Sequence, residues 1–318
     1  MPTVTILDDY QGVALTSADW SDVRRDYTVD VIGEHIADPE ALVDRLRDSD
    51  VVVAMRERTP FPAAVLQALP ALRLLITTGP VNASIDLAAA AAAGITVCGT
   101  GGAGNAMPEL TIGMIIALTR NFAQEDAAVR AGGWQHTIGP GLQGKTLGVV
   151  GLGRLGTPVA RLAQAFGMSV IAWSPRLTAE RAAEHGVRAV TKADLFGESD
   201  VITVHMPLAD GTRGIVGAED IARMKRTAYL VNTSRGPIVD QAALVAALRE
   251  NRIAGAGLDV YDTEPLPVDD PLRSLPNTLL LPHIGYVTTD AYRVFYRHAV
   301  EDIVAFDAGA PLRVLTPR

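Results

Sequence analysis

Three stretches of this 318-residue chain end in side chains able to manage a carboxylic acid and a proton: Arg235 in NTSRGPIVD, Glu264 in GLDVYDTEPLP and His283 in PHIG. A guanidinium offers a planar fork to a carboxylate and polarises an adjacent carbonyl, a task for which lysine is a poor substitute. An imidazole moves protons near neutral pH, and a carboxylate beside it fixes the ring. Each residue alone has a quieter explanation: Arg235 as a helix-capping partner, Glu264 as a loop charge, His283 as a hydrogen-bonded turn residue. All three follow apolar, strand-like runs, and open α/β sheets place ligands beyond the carboxyl ends of their strands. The combination therefore favours catalysis.

Two segments fit the dinucleotide spacing G-x-G-x-x-G: GTGGAG at Gly99–Gly104 and GLGRLG at Gly151–Gly156. Spacing alone is weak evidence in a chain with 29 glycines. GLGRLG lies in KTLGVVGLGRLGTPVARLAQAFGMSVIAWS, which supplies a buried strand, the turn, a helix from near Thr157 and a second strand from Ser169. Glycines there allow a tight turn and close approach of a pyrophosphate to the helix N-terminus. GTGGAG lacks that βαβ setting and reads as a connection between domains. The second strand after GLGRLG ends in Ser174, Pro175 and Arg176, where an NAD-binding chain carries an acidic residue for the adenosine ribose. Without that carboxylate nothing repels a 2′-phosphate, and Arg176 could bind one, so NADP is favoured over NAD.

The elements that must position these residues are legible as alternation. VTIL, VVVA, LRLLIT and ITV in the first third, and TLGVVG, SVIAWS, DVITVHMP, AYLVNTS, GAGLDVY and TLLLPHIG later, read as strands separated by helices. PELTIGMIIALTRNFAQEDAAVRAGG reads as one long linking helix, with Pro108 in its first turn and Gly132-Gly133 as its stop. A last helix spans Thr288 to Ala308, with no strand-rich unit after it. The expected fold is two-domain α/β: a Rossmann dinucleotide-binding domain (101–283) inserted into a flavodoxin-like α/β substrate domain (1–100). Residues 284–318 return to the substrate domain as the C-terminal helix, with hinges near 101 and 284.

The net charge of −8 argues against a nucleic-acid surface, which needs clustered cations. Cys98 is the only cysteine, which excludes an internal disulfide and a cysteine zinc site and suits a reducing cytoplasm. MPTVTILDDYQG reads as a first strand, not a signal peptide, and the alanine run at 87–94 is too short to span a bilayer. No spacing of His, Asp or Glu suggests a metal.

On these motifs the chain resembles the D-isomer-specific 2-hydroxyacid dehydrogenases of the phosphoglycerate dehydrogenase-like kind, without a regulatory domain. MRERT, NAMPELTIGMIIALTR, GLGRLG, VHMPLADGTRGIV, NTSRGPIVD, GLDVYDTEPLP and PHIG carry the likeness in order and spacing. It implies an NAD(P)-dependent oxidoreductase interconverting a 2-oxo acid and a D-2-hydroxy acid, and a homodimer built largely on the Rossmann domains. Arg235 would hold the substrate carboxylate and carbonyl, with His283 as acid and base and Glu264 as its partner. The implied cofactor residues are Gly151, Gly153, Arg154, Leu155 and Gly156, then Ser174, Pro175 and Arg176. His205, Pro207, Thr212, Thr233, Ser234 and Asp259 complete the set, His205 and Asp259 toward the nicotinamide. Formate dehydrogenases replace the glutamate with glutamine, so Glu264 argues against that branch. A D-3-phosphoglycerate dehydrogenase and a cofactor-sensing binding protein are the alternatives.

The chain departs from the family at GPVNASID, where the pattern is roughly G-x-G-x-D-N-I-D and backbone N–H groups receive the substrate carboxylate. Following Gly79, Pro80 has no N–H and Val81 replaces a glycine. The expected compensation comes from Asn82, or from Arg56 and Arg58 of MRERT, reaching the carboxylate or a distal anionic group. Simple surface pairing is the competing explanation for the two arginines. Tyr286 is a further candidate for the substrate pocket.

Overall fold

A computed structural model describes residues 1–317. They form two compact units, Met1–Gly104 with the residues from Val287 onward, and Asn105–Tyr286.

In the first unit, β1 (Thr3–Ile6), β2 (Thr28–Val31), β3 (Val51–Ala54), β4 (Leu74–Thr77) and β5 (Thr96–Gly99) make a parallel sheet in the order β2-β1-β3-β4-β5. This is the flavodoxin-like order, whose direction of progression reverses between β1 and β3. Every residue of β3 and β4 is buried, because a parallel sheet is covered on both faces. The edge strand β2, TVDV, is half-exposed and lacks the apolar run that marks the others, so the sequence pattern passes over it. The helix Thr289–Asp307 buries Tyr292, Phe295, Tyr296, Ala299 and Ile303 at helical spacing. Beyond it, Arg313 O accepts the Gly99 N–H and Leu315 N–H donates to Val97 O, extending the sheet at β5.

In the second unit, β6 (Thr146–Val150), β7 (Ser169–Trp173), β8 (Arg188–Ala189), β9 (Val201–Val204), β10 (Tyr229–Asn232), β11 (Gly255–Leu258) and β12 (Thr278–Leu280) are also parallel. Their order, β12-β11-β10-β9-β6-β7-β8, is that of a Rossmann fold inserted in the chain of the first unit, and it reverses between β6 and β9. The expected single linking helix is two helices, Ala106–Thr119 and Phe122–Arg130. Asn121 between them sits at φ 53°, a left-handed conformation that asparagine tolerates and that ends a helix. Among the described residues no helix is long and apolar enough to cross a membrane, and no group of His, Cys, Asp or Glu is placed to hold a metal ion.

Candidate active site

GLGRLG leaves the carboxyl end of β6, at the reversal point of the second sheet. Gly151 has φ 99°, which a side chain would oppose, and its missing Cβ would lie 3.0 Å from the His205 carbonyl. A Cβ on Gly156 would stand 2.1 Å from Gly151 O, so only glycine lets the helix approach the strand so closely. Gly153 differs: nothing lies within 4 Å of the position its Cβ would take. The helix Gly156–Ala165 has Leu155 at its cap and no side chain bonding its first turn, so its dipole is open to an anion, although Gly153 O takes the Thr157 N–H and Pro158 has none. Arg154 is exposed and Leu155 half-buried beside them. Ser174 follows β7 half-buried, while Pro175 and Arg176 are exposed.

His205, at the end of β9, is buried, and neither ring nitrogen has a hydrogen-bond partner among the described residues. Burial alone drives its pKa down to about 3, so the ring is neutral. A buried, unpartnered imidazole beside Gly151 is a polar group left for a ligand. Around it the loop ends are tied together. Ser234 Oγ donates to Met206 O, Thr212 Oγ1 donates to Pro207 O, and Thr233 Oγ1 lies 2.9 Å from Thr111 Oγ1. These residues, an open space over Gly153 and an uncapped helix start fit a dinucleotide.

Arg235 is set by Asn232 at the end of β10, whose Nδ2 donates to Arg235 O at 3.0 Å and whose Oδ1 accepts the Ser234 N–H. Its own Nη1 donates to Ser234 O at 2.7 Å. Glu264 follows β11. Its Oε1 accepts the Tyr261 N–H at 2.9 Å, and its Oε2 is 2.5 Å from His283 Nδ1. Burial opposes the Glu264 charge, but the hydrogen bond and charge of His283, the Tyr261 N–H and Arg235 outweigh it and hold the carboxyl below its usual range. Since Nδ1 is engaged, Nε2 is the nitrogen left for proton transfer. The Tyr286 ring, buried, meets the His283 ring edge-on at 5.7 Å.

His283 holds φ 54°, a conformation costing a non-glycine residue about 1–3 kcal/mol and kept only where the surroundings impose it. Asp259 imposes it here. Its two oxygens accept the Ile284 and Gly285 N–H groups at 2.7 and 2.8 Å. Burial pushes the Asp259 carboxyl up, against the pull of those amides and of His283. With 1% exposure, Asp259 is engaged in positioning the His283 segment.

In the first unit, Arg56, Arg58, Gly79, Pro80, Val81 and Asn82 lie on the segments that leave β3 and β4. Asn82 Nδ2 donates to Arg56 O at 2.6 Å and to Thr77 Oγ1 at 2.9 Å. Both side-chain amide hydrogens of Asn82 are thereby engaged within the first unit. Arg58 Nη1 donates to Asp8 O at 2.9 Å, and its guanidinium lies 4.5 Å over the Tyr10 ring. Pro80 and Val81 are exposed at the loop tip. Arg56, like His283, has a positive φ, 54°.

Several residues at these sites escape the sequence motifs. Thr100 Oγ1 takes the Gly79 N–H at 2.6 Å. The Asp8 carboxylate, just past β1, accepts from Thr59 Oγ1 at 2.7 Å and faces His35 Nδ1 at 3.1 Å. Lys192 Nζ stands 5.5 Å over the Trp173 ring, just before Ser174, while paired to Asp220. The signal for Asp8 was present in LDDY, a polar pair closing a first strand at a sheet reversal; for Thr100 and Lys192 no local signal exists.

Residues 112–285, more than half of the chain, match the family described as D-isomer specific 2-hydroxyacid dehydrogenase, NAD binding domain. A glyoxylate reductase of Korarchaeum cryptofilum is 37% identical over 277 residues, 85% of this chain and 83% of the relative. A glycerate dehydrogenase of Methylorubrum extorquens is 36% identical, covering 87% of this chain and 88% of its own. A D-3-phosphoglycerate dehydrogenase of Methanocaldococcus jannaschii is 39% identical over 80% of this chain, which spans only 49% of that protein. Among solved structures, a phosphoglycerate oxidoreductase from Vibrio cholerae superposes with a TM-score of 0.92 at 36% identity, over 98% of this chain and 100% of that one. The chain belongs to the D-isomer specific 2-hydroxyacid dehydrogenase family, NAD-dependent oxidoreductases acting on 2-hydroxy and 2-oxo acids.

Proposed function

We propose that this enzyme reduces a small 2-oxo acid to its D-2-hydroxy acid, with His283, Glu264 and Arg235 as its catalytic groups. The observation that carries the reading is the 2.5 Å contact of His283 Nδ1 with Glu264 Oε2, which aligns one ring nitrogen and leaves the other for the substrate. When bound, the dihydronicotinamide supplies the hydride. The Arg235 fork holds the substrate carboxylate and draws charge onto the carbonyl oxygen. His283 Nε2 gives that oxygen its proton as C2 is reduced, and takes the hydroxyl proton back in the oxidative direction. Asp259 keeps the His283 segment in place.

Gly151, Gly153 and Gly156 with the N-terminus of the helix Gly156–Ala165 would receive the pyrophosphate, and His205 would meet the nicotinamide end. Ser174 and Arg176 support NADP over NAD, since no carboxylate follows β7 to oppose a 2′-phosphate. Relatives named for glyoxylate and glycerate are covered over 83% and 88% of their length, which supports a substrate of that size.

We also infer a homodimer formed through the second unit. The helix Phe122–Arg130 buries no residue, and Trp134 and Ile138 after it are 75% and 101% exposed. The arm bearing them is not loose: Glu125 accepts hydrogen bonds from the His136 and Thr137 backbone and from Thr137 Oγ1. Light scattering on wild type and Ile138→Asp tests this, with a monomeric wild type as the opposing result.

The test of function is oxidation of NADPH or NADH with glyoxylate, hydroxypyruvate, pyruvate and phosphohydroxypyruvate, repeated with His283→Ala. Turnover lost in the variant supports the reading. Cofactor binding without any turnover would oppose it and favour a binding protein, and a strict need for phosphohydroxypyruvate would redirect it to D-3-phosphoglycerate dehydrogenase activity.

A further inference from the structure

Glu264 belongs to a loop that is exposed from Asp262 to Pro265. Apart from its contact with His283, the carboxylate is fixed by its own chain, Oε1 accepting the Tyr261 N–H at 2.9 Å. Its position is therefore set by whatever holds residues 261–267. The near end of that stretch is anchored. Tyr261 is buried, and its hydroxyl reaches Leu258 O at 3.1 Å and Leu281 O at 2.9 Å, where β11 and β12 end. The Asp262 N–H donates to Gln241 Oε1 at 3.2 Å.

The far end is held by Arg273. Its Nε donates to Pro267 O at 2.8 Å and its Nη2 donates to Leu266 O at 2.7 Å. Two consecutive carbonyls thus take two N–H groups of one planar guanidinium, a fork that the single ammonium of lysine does not reproduce. The arginine stands on a firm base, the short turn Pro271–Ser274, whose Leu272 is fully buried in the core of the second sheet. Asp270 caps that turn, its Oδ1 accepting the Leu272 N–H at 2.8 Å, and its Oδ2 accepts from Gln241 Nε2 at 3.2 Å. The side chain that takes the Asp262 N–H therefore also braces the turn bearing Arg273. Loop, turn and Gln241 make a closed circuit of hydrogen bonds, and in that circuit Arg273 alone supplies two charged donors to the loop backbone.

We propose that Arg273 is a positioning residue for catalysis: by clasping Leu266 O and Pro267 O it closes the loop that carries Glu264, and so keeps the Glu264 carboxylate on His283 Nδ1. It acts through Glu264, not on the substrate. The proposal rests on the functional reading above, in which Glu264 and His283 form the acid–base pair.

The test uses wild type, Arg273→Gln, Arg273→Lys, Glu264→Gln and the double variant Arg273→Gln/Glu264→Gln, with the 2-oxo acid that wild type reduces best. Arg273→Gln lowers kcat about fivefold while KM, cofactor affinity and thermal midpoint hold, the pattern of an interaction that matters in the transition state. Arg273→Lys keeps the charge, loses the fork and falls with it. In the Glu264→Gln background the same Arg273→Gln change lowers kcat less than about 1.5-fold, because the group it positions has already lost its charge. Hydrogen exchange of the Tyr261 amide, which donates to Glu264, quickens about fivefold in Arg273→Gln. An unchanged kcat in Arg273→Gln, an Arg273→Lys that matches wild type, or an equal fall in both backgrounds overturns the proposal. So does a fall accompanied by weaker cofactor binding and a lower thermal midpoint, which marks a scaffold residue. A wild type that reduces no 2-oxo acid removes the functional reading instead, and the Tyr261 exchange then decides the clasp by itself, an unchanged rate overturning it.

Discussion

His283 and Glu264 are joined through a single ring nitrogen, Nδ1 to Oε2 at 2.5 Å, while the other Glu264 oxygen is held by the Tyr261 N–H. The carboxylate is anchored before it anchors the ring. Glu264→Gln keeps the shape and removes the charge, and kcat falls about 10²-fold, within the range ascribed to positioned proton transfer. Cofactor affinity, measured by fluorescence, stays unchanged. Because the Glu264 carboxyl is held below its ordinary value, its stabilising effect is present above the unfolded-state value and fades as pH falls through the folded one. Acid titration of the thermal midpoint is accordingly shallower in Glu264→Gln than in wild type.

Two glycines of the loop, Gly153 and Gly156, separate stability from binding. Gly156→Ala forces a Cβ to 2.1 Å from Gly151 O and lowers stability by about 1–3 kcal/mol. Gly153→Ala meets no protein atom within 4 Å, so its denaturation midpoint stays with wild type while its cofactor Kd weakens. Equal cofactor affinity in Gly153→Ala and wild type would show that the open space over Gly153 is not where a pyrophosphate lies.

Ser174 tests the cofactor preference. Ser174→Asp restores a ribose-binding carboxylate after β7 and moves the NADPH to NADH ratio of kcat/KM about tenfold or more toward NADH. Arg176→Ala shifts the ratio in the same direction by lowering the affinity for NADPH. A ratio unmoved by both would assign the 2′-phosphate to other residues, Lys192 first among them.

Asp302 predicts a pH dependence of stability remote from the catalytic groups. It is fully buried, with one oxygen paired to Arg313 and the other without a partner among the described residues. Burial raises its pKa to about 7 despite Arg313. A group raised on folding stabilises most below its unfolded-state value, and that contribution is lost as pH rises through about 7. The thermal midpoint therefore declines between about pH 4 and about pH 7, and Asp302→Asn flattens that decline.

Alternation of apolar runs marked most strands of both sheets, because a parallel strand buried on both faces must be apolar along its length. It passed over β2 and β8, an edge strand and a two-residue strand whose pairing depends on a neighbour more than on their own composition. In the sequence the linking helix reads as continuous because its composition is helical throughout. The left-handed turn at Asn121 is a single-residue event that periodicity does not register.

By itself the sequence determined the chemistry available: an arginine, a glutamate and a histidine after apolar runs, one glycine loop in a βαβ setting, and a proline that deletes a donor. Those are properties of residue type and local spacing, which the chain carries unfolded. Tertiary structure alone decided which candidates are occupied. Asn82 spends its amide on Arg56 and Thr77, Arg58 is tied to Asp8 and Tyr10, and Asp259 holds two amides of the segment after His283. It also laid Arg56 across Gly79. A hydrogen bond is a relation between groups distant in the chain, so its presence depends on strand order and register, which no single stretch encodes.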